Sequence, residues 1–160
     1  MLKLYRHNKN KIVAYHEAWI ADTVVMEHWG PIGERGEMLE HPFDPDLSDE
    51  QALQHVLLKA VKQGYSELAY DDHATLIIEY PVADMGTEAD LKLRHDLEAR
   101  LAETLGWTGL GHCDGGSIGS GTMEVCCMVV DYELARSIIE KDLAGTEFEG
   151  FARIYDEADE

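Results

Sequence analysis

The chain has 160 residues, of which 45% are hydrophobic and 28% are charged, and its formal net charge is −19. The hydrophobic share is normal for a globular protein and argues against wholesale disorder, and no window approaches the roughly 18–20 apolar residues of a membrane-spanning helix. The first residues also lack the apolar region of a secretory signal. The sequence therefore predicts a cytoplasmic protein of one domain or two small ones, without membrane contact.

The negative charge is unevenly distributed. Residues 1–73 carry 7 basic and 13 acidic groups, whereas residues 74–160 carry 6 and 19. Phosphate binding relies on Lys and Arg that displace condensed counterions, so a field this negative opposes nucleic acid and anionic membranes. It favours a basic protein partner. The alternative is that the acidity serves solubility alone.

The three cysteines, Cys113, Cys126 and Cys127, do not predict a disulfide framework. Their number is odd, and adjacent residues in a strand point to opposite faces. We expect buried free thiols in a reducing compartment. Neither these thiols nor the scattered histidines show the spacing of a metal site, so no metal or other cofactor is predicted.

The first half of the chain predicts four strands followed by one helix. Alternating or β-branched residues place the strands at residues 3–6, 11–20 and 23–29, with a short returning strand at 37–40. Ser48 and Gln51 form a capping box, and apolar residues at helical spacing follow it until Gly64. The helix that begins at Ser48 can cover one face of the sheet.

The second half predicts the order strand, helix, strand, strand, helix, strand. Thr87 and Asp131 are the expected caps of its two helices. Residues 123–130 are almost continuously apolar, which is typical of a strand covered on both faces. This order matches the split βαβ, ferredoxin-like plan. The predicted fold class is thus α+β, with one domain at residues 1–70 and a second at residues 74–156.

An octapeptide at residues 29–36, Trp-Gly-Pro-Ile-Gly-Glu-Arg-Gly, lies between the predicted strands and the Ser48 helix. Together with that helix and the Gly64-Tyr65 pair at its end, it resembles the WGR domain family over residues 1–70. The resemblance implies an antiparallel sheet against which the helix packs. In poly(ADP-ribose) polymerases, domains of this family help to bind DNA ends, which implies a binding site in the same loop. The implied binding residues are Trp29, Gly30, Gly33 and Arg35.

One position departs from the family pattern. Pro31 stands where the family has an arginine after Trp-Gly, and proline has neither a charge nor a backbone donor. The departure weakens the expectation of DNA contact. Trp29 then has a second interpretation, as a partly buried aromatic residue that holds the glycine loop in place.

A second glycine-rich segment occupies residues 109–121. Successive glycine N–H groups can cradle an anion, which makes Asp114, Gly115 and Gly116 candidate binding residues. The segment contains no basic residue and does not open onto a helix. We therefore favour a β-hairpin with bulges, in which Gly115 and Gly116 supply the turn.

Three functions follow as hypotheses. Leu-Gly-Trp-Thr-Gly, Cys-Asp-Gly-Gly and Gly-Ser-Gly-Thr-Met in the second half are similar to patterns in small bacterial domains, several of which accompany secreted toxins. The first hypothesis is therefore a non-catalytic adaptor or immunity-type inhibitor that binds a protein through an acidic surface. The alternatives are a nucleic-acid module of the WGR type and an enzyme that uses the 111–121 loop. The oligomeric state is left open, because exposed strand edges can also pair across a dimer.

Overall fold

The computed structural model describes residues 1–159. The chain divides into two compact units between Ala69 and Tyr70, and each unit combines one antiparallel sheet with helix. The α+β class predicted from the sequence is confirmed. No described helix is long and apolar enough to cross a membrane.

The first unit is a four-stranded meander with one helix. Its strands are β1 (Leu2–Asn8), β2 (Lys11–Ala21), β3 (Val24–Pro31) and β4 (Glu37–Pro42), and its helix is α1 (Asp49–Lys62). The strands pair in chain order, so β1 and β4 form the two edges of the sheet.

Helix α1 begins where the capping box predicts. The Ser48 side chain accepts a hydrogen bond from the backbone N–H of Gln51, whose side chain accepts one from the Ser48 backbone. Leu53 and Leu57 then face Leu4 and Val25 of the sheet in a single apolar cluster. The helix therefore covers one face of the sheet, and burial of this cluster is what holds the two elements together.

The second unit contains four strands and two helices. They are β5 (Ala74–Pro81), α2 (Glu88–Trp107), β6 (Gly111–Gly119), β7 (Thr122–Val129), α3 (Tyr132–Leu143) and β8 (Arg153–Asp156). The strands lie in the order β6-β7-β5-β8, and every adjacent pair is antiparallel. This is the split βαβ arrangement, in which each helix connects two strands that have a third strand between them.

The core of the second unit lies between the helices and one face of the sheet. Leu76 and Ile78 of β5 and Val125 of β7 are fully buried there, together with Leu97 and Leu101 of α2. The opposite face of β7 is less buried than its apolar sequence predicts. Glu124 and Cys126 on that face remain partly exposed, so β7 is fully covered on one side only.

The hairpin predicted for the second glycine-rich segment is present, but its predicted turn is wrong. Gly115 and Gly116 lie within β6, where they pair with Cys126 and Val125. The turn is formed instead by Ser120 and Gly121, whose φ angles are 53° and 89°. A two-residue hairpin turn with positive φ at both central positions matches the right-handed twist of its strands, which explains why the chain reverses there.

Candidate functional site

The loop that carries the Trp-Gly motif is built around close backbone contacts. Gly33, with a φ of 86°, occupies the third position of a turn in which the Glu34 N–H donates to the Pro31 carbonyl at 3.1 Å. At Gly36 a side-chain carbon would lie 2.2 Å from the Trp29 carbonyl oxygen, and at Gly30 one would lie 2.7 Å from the Gly36 Cα. These glycines therefore serve the folding of the loop.

A buried hydrogen-bond network fastens this loop to the sheet. The Tyr15 hydroxyl donates to the Glu34 carbonyl at 2.8 Å, and His28 Nε2 donates to the Arg35 carbonyl at 2.6 Å. The other ring nitrogen of His28 lies 2.7 Å from a carboxylate oxygen of Glu17. The Tyr15 hydroxyl also lies 3.1 Å from His28 Nε2, so the hydroxyl, the imidazole ring and the Glu17 carboxylate form one connected network.

Lys3 also belongs to this network, with its Nζ 3.2 Å from the second Glu17 oxygen. Glu17 and His28 are 5% and 1% exposed, so the pair is desolvated and depends on these partners. Desolvation also raises the pKa of the Tyr15 hydroxyl well above its usual value, with a further contribution from the Glu17 carboxylate. The backbone of Arg35, a predicted binding residue, is thus part of a structural network.

Trp29 belongs to a row of stacked rings on the helix-covered face of the sheet. Its ring lies 5.5 Å from that of His16 at an interplanar angle of 29°, and His16 meets the edge of Tyr65 at 5.5 Å. The guanidinium of Arg6 lies 5.3 Å from the centre of the Tyr65 ring. Trp29 is partly buried, which agrees with the interpretation that it holds the loop in place.

A single carboxylate joins two histidines beside this row. The two oxygens of Glu27 lie 2.6 Å from His16 Nε2 and 2.6 Å from His41 Nε2. Within residues 1–159, no group of three or more His, Cys, Asp or Glu side chains is arranged to hold a metal ion. The Glu27 hydrogen bonds connect His16 of the ring row to His41 near the end of β4.

Strand β4 is a feature that the sequence reasoning did not treat as a site. It forms an edge of the first sheet, and its two central apolar side chains, Met38 and Leu39, are 50% and 49% exposed. Glu37 and Glu40, on either side of them, are also exposed. Side chains alternate along a strand, so Glu37 and Leu39 lie on one face of β4 and Met38 and Glu40 on the other, and each face presents one apolar side chain and one carboxylate.

The register of β4 shows which of its backbone groups lack a partner in the sheet. The Phe43 N–H donates to the carbonyl of Thr23, its cross-strand neighbour, at 3.1 Å. Antiparallel pairs alternate between hydrogen-bonded and non-hydrogen-bonded, so Leu39 is bonded to β3, whereas Met38 and Glu40 are not. The N–H and C=O groups of Met38 and Glu40 consequently point away from the sheet.

Pro42 agrees with the assignment of alternate backbone groups of β4 to the outward side of the strand. It lies two residues beyond Glu40, on the side of the strand that faces outward, and it has no N–H to leave unpaired. Proline in sheets is confined to such edge positions. The outward side of β4 is thus an open backbone edge of two residues that ends at a proline.

In the second unit, the predicted residues lie on β6. Asp114 is the extra residue of a β-bulge, and its carboxylate accepts a hydrogen bond from the Tyr70 hydroxyl at 3.2 Å. The Asp114 charge is the main cause of a raised pKa at that hydroxyl. A side-chain carbon at Gly116 would lie 2.2 Å from the Glu124 carbonyl, and the Gly116 carbonyl accepts from Arg94 at 2.6 Å. The structure thus places this glycine at a close strand contact.

The hairpin also brings together two thiols that the sequence reasoning did not pair. Cys113 and Cys127 are direct cross-strand neighbours, and their sulfur atoms lie 3.9 Å apart. Cys126 points to the opposite face. The turn at Ser120 and Gly121 does not by itself predict this pair, because the register shifts by one residue at Asp114, and no signal in the sequence marks that bulge.

Comparisons with models of protein families, with curated proteins and with solved structures found no match to this chain.

Proposed function

We propose that this protein is a non-catalytic binding module that recognises an extended, basic segment of a protein partner through the acidic edge of its first unit. The observation that carries the proposal is the open backbone edge of β4, which presents one exposed apolar side chain and one exposed carboxylate on each face. An extended peptide can add to such an edge as a further strand, with main-chain hydrogen bonds for affinity and alternate side chains for specificity.

The negative charge around β4 favours a basic peptide as its partner. Residues 34–50 hold seven of the eleven carboxylates of the first unit but only one of its seven Lys and Arg residues, Arg35. A basic peptide would be drawn to this edge, and an acidic one would be repelled. A second copy of the chain would bring its own Glu37 and Glu40 against the same strand, which disfavours self-pairing.

Within this proposal, we take the partner class from the short sequence patterns of the second half, which resemble those of small bacterial domains that accompany secreted toxins. A toxin with a basic surface would make the protein an immunity-type inhibitor. An exposed basic strand or an extended tail of the toxin would occupy β4.

The proposal can be tested without knowledge of the partner. A capped six-residue peptide of alternating lysine and valine is titrated into the full chain and followed by amide NMR shifts, which detect binding as weak as a Kd of about 1 mM. The matched control replaces each lysine with glutamate. We expect binding of the lysine peptide, shifts centred on β4, and weakening as salt is raised.

Three outcomes would overturn the proposal. The first is equal binding of the lysine and glutamate peptides, and the second is the absence of binding by either at low salt. The third is a β4 edge already occupied by a second copy, which sedimentation would report as a dimer that Glu40→Pro dissociates.

A nucleic-acid function is retained as a second candidate because of the ring row. Trp29, His16 and Tyr65 with Arg6 form a platform of the kind on which bases stack. Low-salt titration with blunt and nicked DNA duplexes tests it, and Trp29→Ala should abolish any binding. Lack of binding by the unmodified protein would end this candidate.

A further inference from the structure

Cys113 and Cys127 are placed as reaction partners by the hairpin of the second unit. They face each other across β6 and β7, and the Cys127 thiol is directed at the Cys113 sulfur from 3.9 Å. The Val130 N–H donates to the Leu110 carbonyl, so alternation along the ladder makes the Cys113 and Cys127 pair non-hydrogen-bonded. Such pairs have Cα atoms about 4.5 Å apart, which lies within the range that a disulfide spans.

The bulge at Asp114 is what aligns the two thiols. From the turn to Gly115 the register is regular, and Gly115 pairs with Cys126. If this register continued past Gly115 without a bulge, Met128 would lie opposite Cys113. Asp114 is left out of the pairing, the register shifts by one residue, and Cys113 meets Cys127.

The two thiols differ in access. Cys113 is partly exposed, whereas Cys127 is fully buried on the helix-covered face. The hydrogen bond from Cys127, followed by one from the Gly115 backbone, lowers the pKa of the Cys113 thiol, while the same Cys127 bond and burial raise the pKa of Cys127. Glu98 and Asp114 are the carboxylates near Cys113 and act against its thiolate. Cys113 is nevertheless the thiol that solution can reach and that ionises first.

We propose that Cys113 and Cys127 are an oxidative modification site, which takes a low-molecular-weight disulfide of the glutathione class as co-substrate and closes into a disulfide between β6 and β7. This inference is independent of the function proposed for β4. It rests on the separation of the two sulfur atoms, on the bulge that creates it, and on the difference in access.

The reaction consists of two exchanges. The Cys113 thiolate attacks one sulfur of the small disulfide, a mixed disulfide forms on Cys113, and the first small thiolate leaves. Cys127 then attacks the Cys113 sulfur, its proton passes to the second departing thiolate, and the bond between the two cysteines forms. Two protein thiols are oxidised, and one small disulfide is reduced to two thiols.

Cys126 provides a matched control, because it adjoins Cys127 in sequence but lies on the opposite face of β7, where it pairs with Ile77 of β5. The folded full chain is treated with oxidised glutathione, quenched with acid, unfolded and alkylated, and the alkylated thiols are counted by intact mass. The chain contains three cysteines, so the expected count falls from three to one, without a glutathione adduct. In Cys126→Ser the number of alkylated thiols should fall from two to zero, and in Cys113→Ser both remaining thiols should still be alkylated.

Each contrary result has a definite meaning. Three alkylated thiols after treatment, a stable glutathione adduct on Cys113 with Cys127 still alkylated, or a link that requires Cys126 would each overturn the proposal. Circular dichroism verifies that every variant is folded, and Cys113→Ala replaces Cys113→Ser if the latter is not.

Discussion

Two proline substitutions one residue apart separate peptide binding from stability. Glu40→Pro should weaken peptide binding and leave stability nearly unchanged, whereas Leu39→Pro should lower stability. Glu40→Pro removes an N–H that points away from the sheet, because Glu40 and Met26 form a non-hydrogen-bonded pair. Leu39→Pro removes an N–H that bonds to Glu27 of β3. Pro42 already occupies an outward position two residues beyond Glu40, so the strand accommodates a proline ring on that side.

The magnitudes follow from the groups that are lost. At Glu40 the proline deletes one main-chain hydrogen bond to an added strand, worth about 0.5–1.5 kcal/mol, or about a 2- to 13-fold rise in Kd. Its ring also obstructs the incoming strand, so this range is a lower bound. The free energy of unfolding should change by less than about 1 kcal/mol, whereas Leu39→Pro should reduce it by more than that, because a ladder bond is broken.

Titration with the lysine–valine peptide measures the first quantity, and urea unfolding measures the second. Weaker binding by a stable Glu40→Pro variant, together with a destabilised Leu39→Pro variant, is the expected result. Unchanged peptide binding by Glu40→Pro would refute strand addition at β4. Equal destabilisation by the two prolines would refute the register from which the outward groups were assigned.

Three further predictions concern the first unit. Leu57→Ala truncates a fully buried side chain in the cluster between α1 and the sheet and should cost about 2–5 kcal/mol in urea unfolding; a loss below 1 kcal/mol would contradict that core. Gly36→Ala should lower the thermal midpoint, since a side-chain carbon there would lie 2.2 Å from the Trp29 carbonyl and the φ of 68° disfavours alanine, and an unchanged midpoint would contradict the loop geometry. Ser48→Ala removes a helix cap and should cost about 1 kcal/mol in the same unfolding assay, whereas Ser48→Asp, which retains an acceptor, should cost less.

The elements of this fold were predictable where the signal is local. The capping box at Ser48 and the apolar spacing after it defined α1, and the structure has the helix at Asp49–Lys62. The strand and helix order of the second half also led to the split βαβ arrangement, which the sheet order shows. Both inferences depend on residues that are close together in sequence.

The features that depend on register could not be predicted in the same way. Glu17 and His28 form a buried pair only because β2 and β3 align at those positions, and no spacing rule marks that alignment. In the second hairpin, the neighbouring glycines Gly115 and Gly116 resemble a turn but lie within β6, and the Cys113 partner depends both on the turn at Ser120 and Gly121 and on the bulge at Asp114. A shift of one residue exchanges every cross-strand neighbour, so a turn error propagates along the ladder.

The most direct test of the proposed function is the exchange rate of individual backbone amides in β4, with and without the lysine–valine peptide. In the free protein, the amides of Met38 and Glu40 should exchange quickly, whereas those of Leu39 and His41 should be protected by β3. The account predicts that the peptide slows exchange at Met38 and Glu40 and leaves Leu39 and His41 unchanged. Two results would contradict strand addition at this edge. One is slow exchange of the Met38 and Glu40 amides in the free protein, and the other is fast exchange of the same amides at saturating peptide.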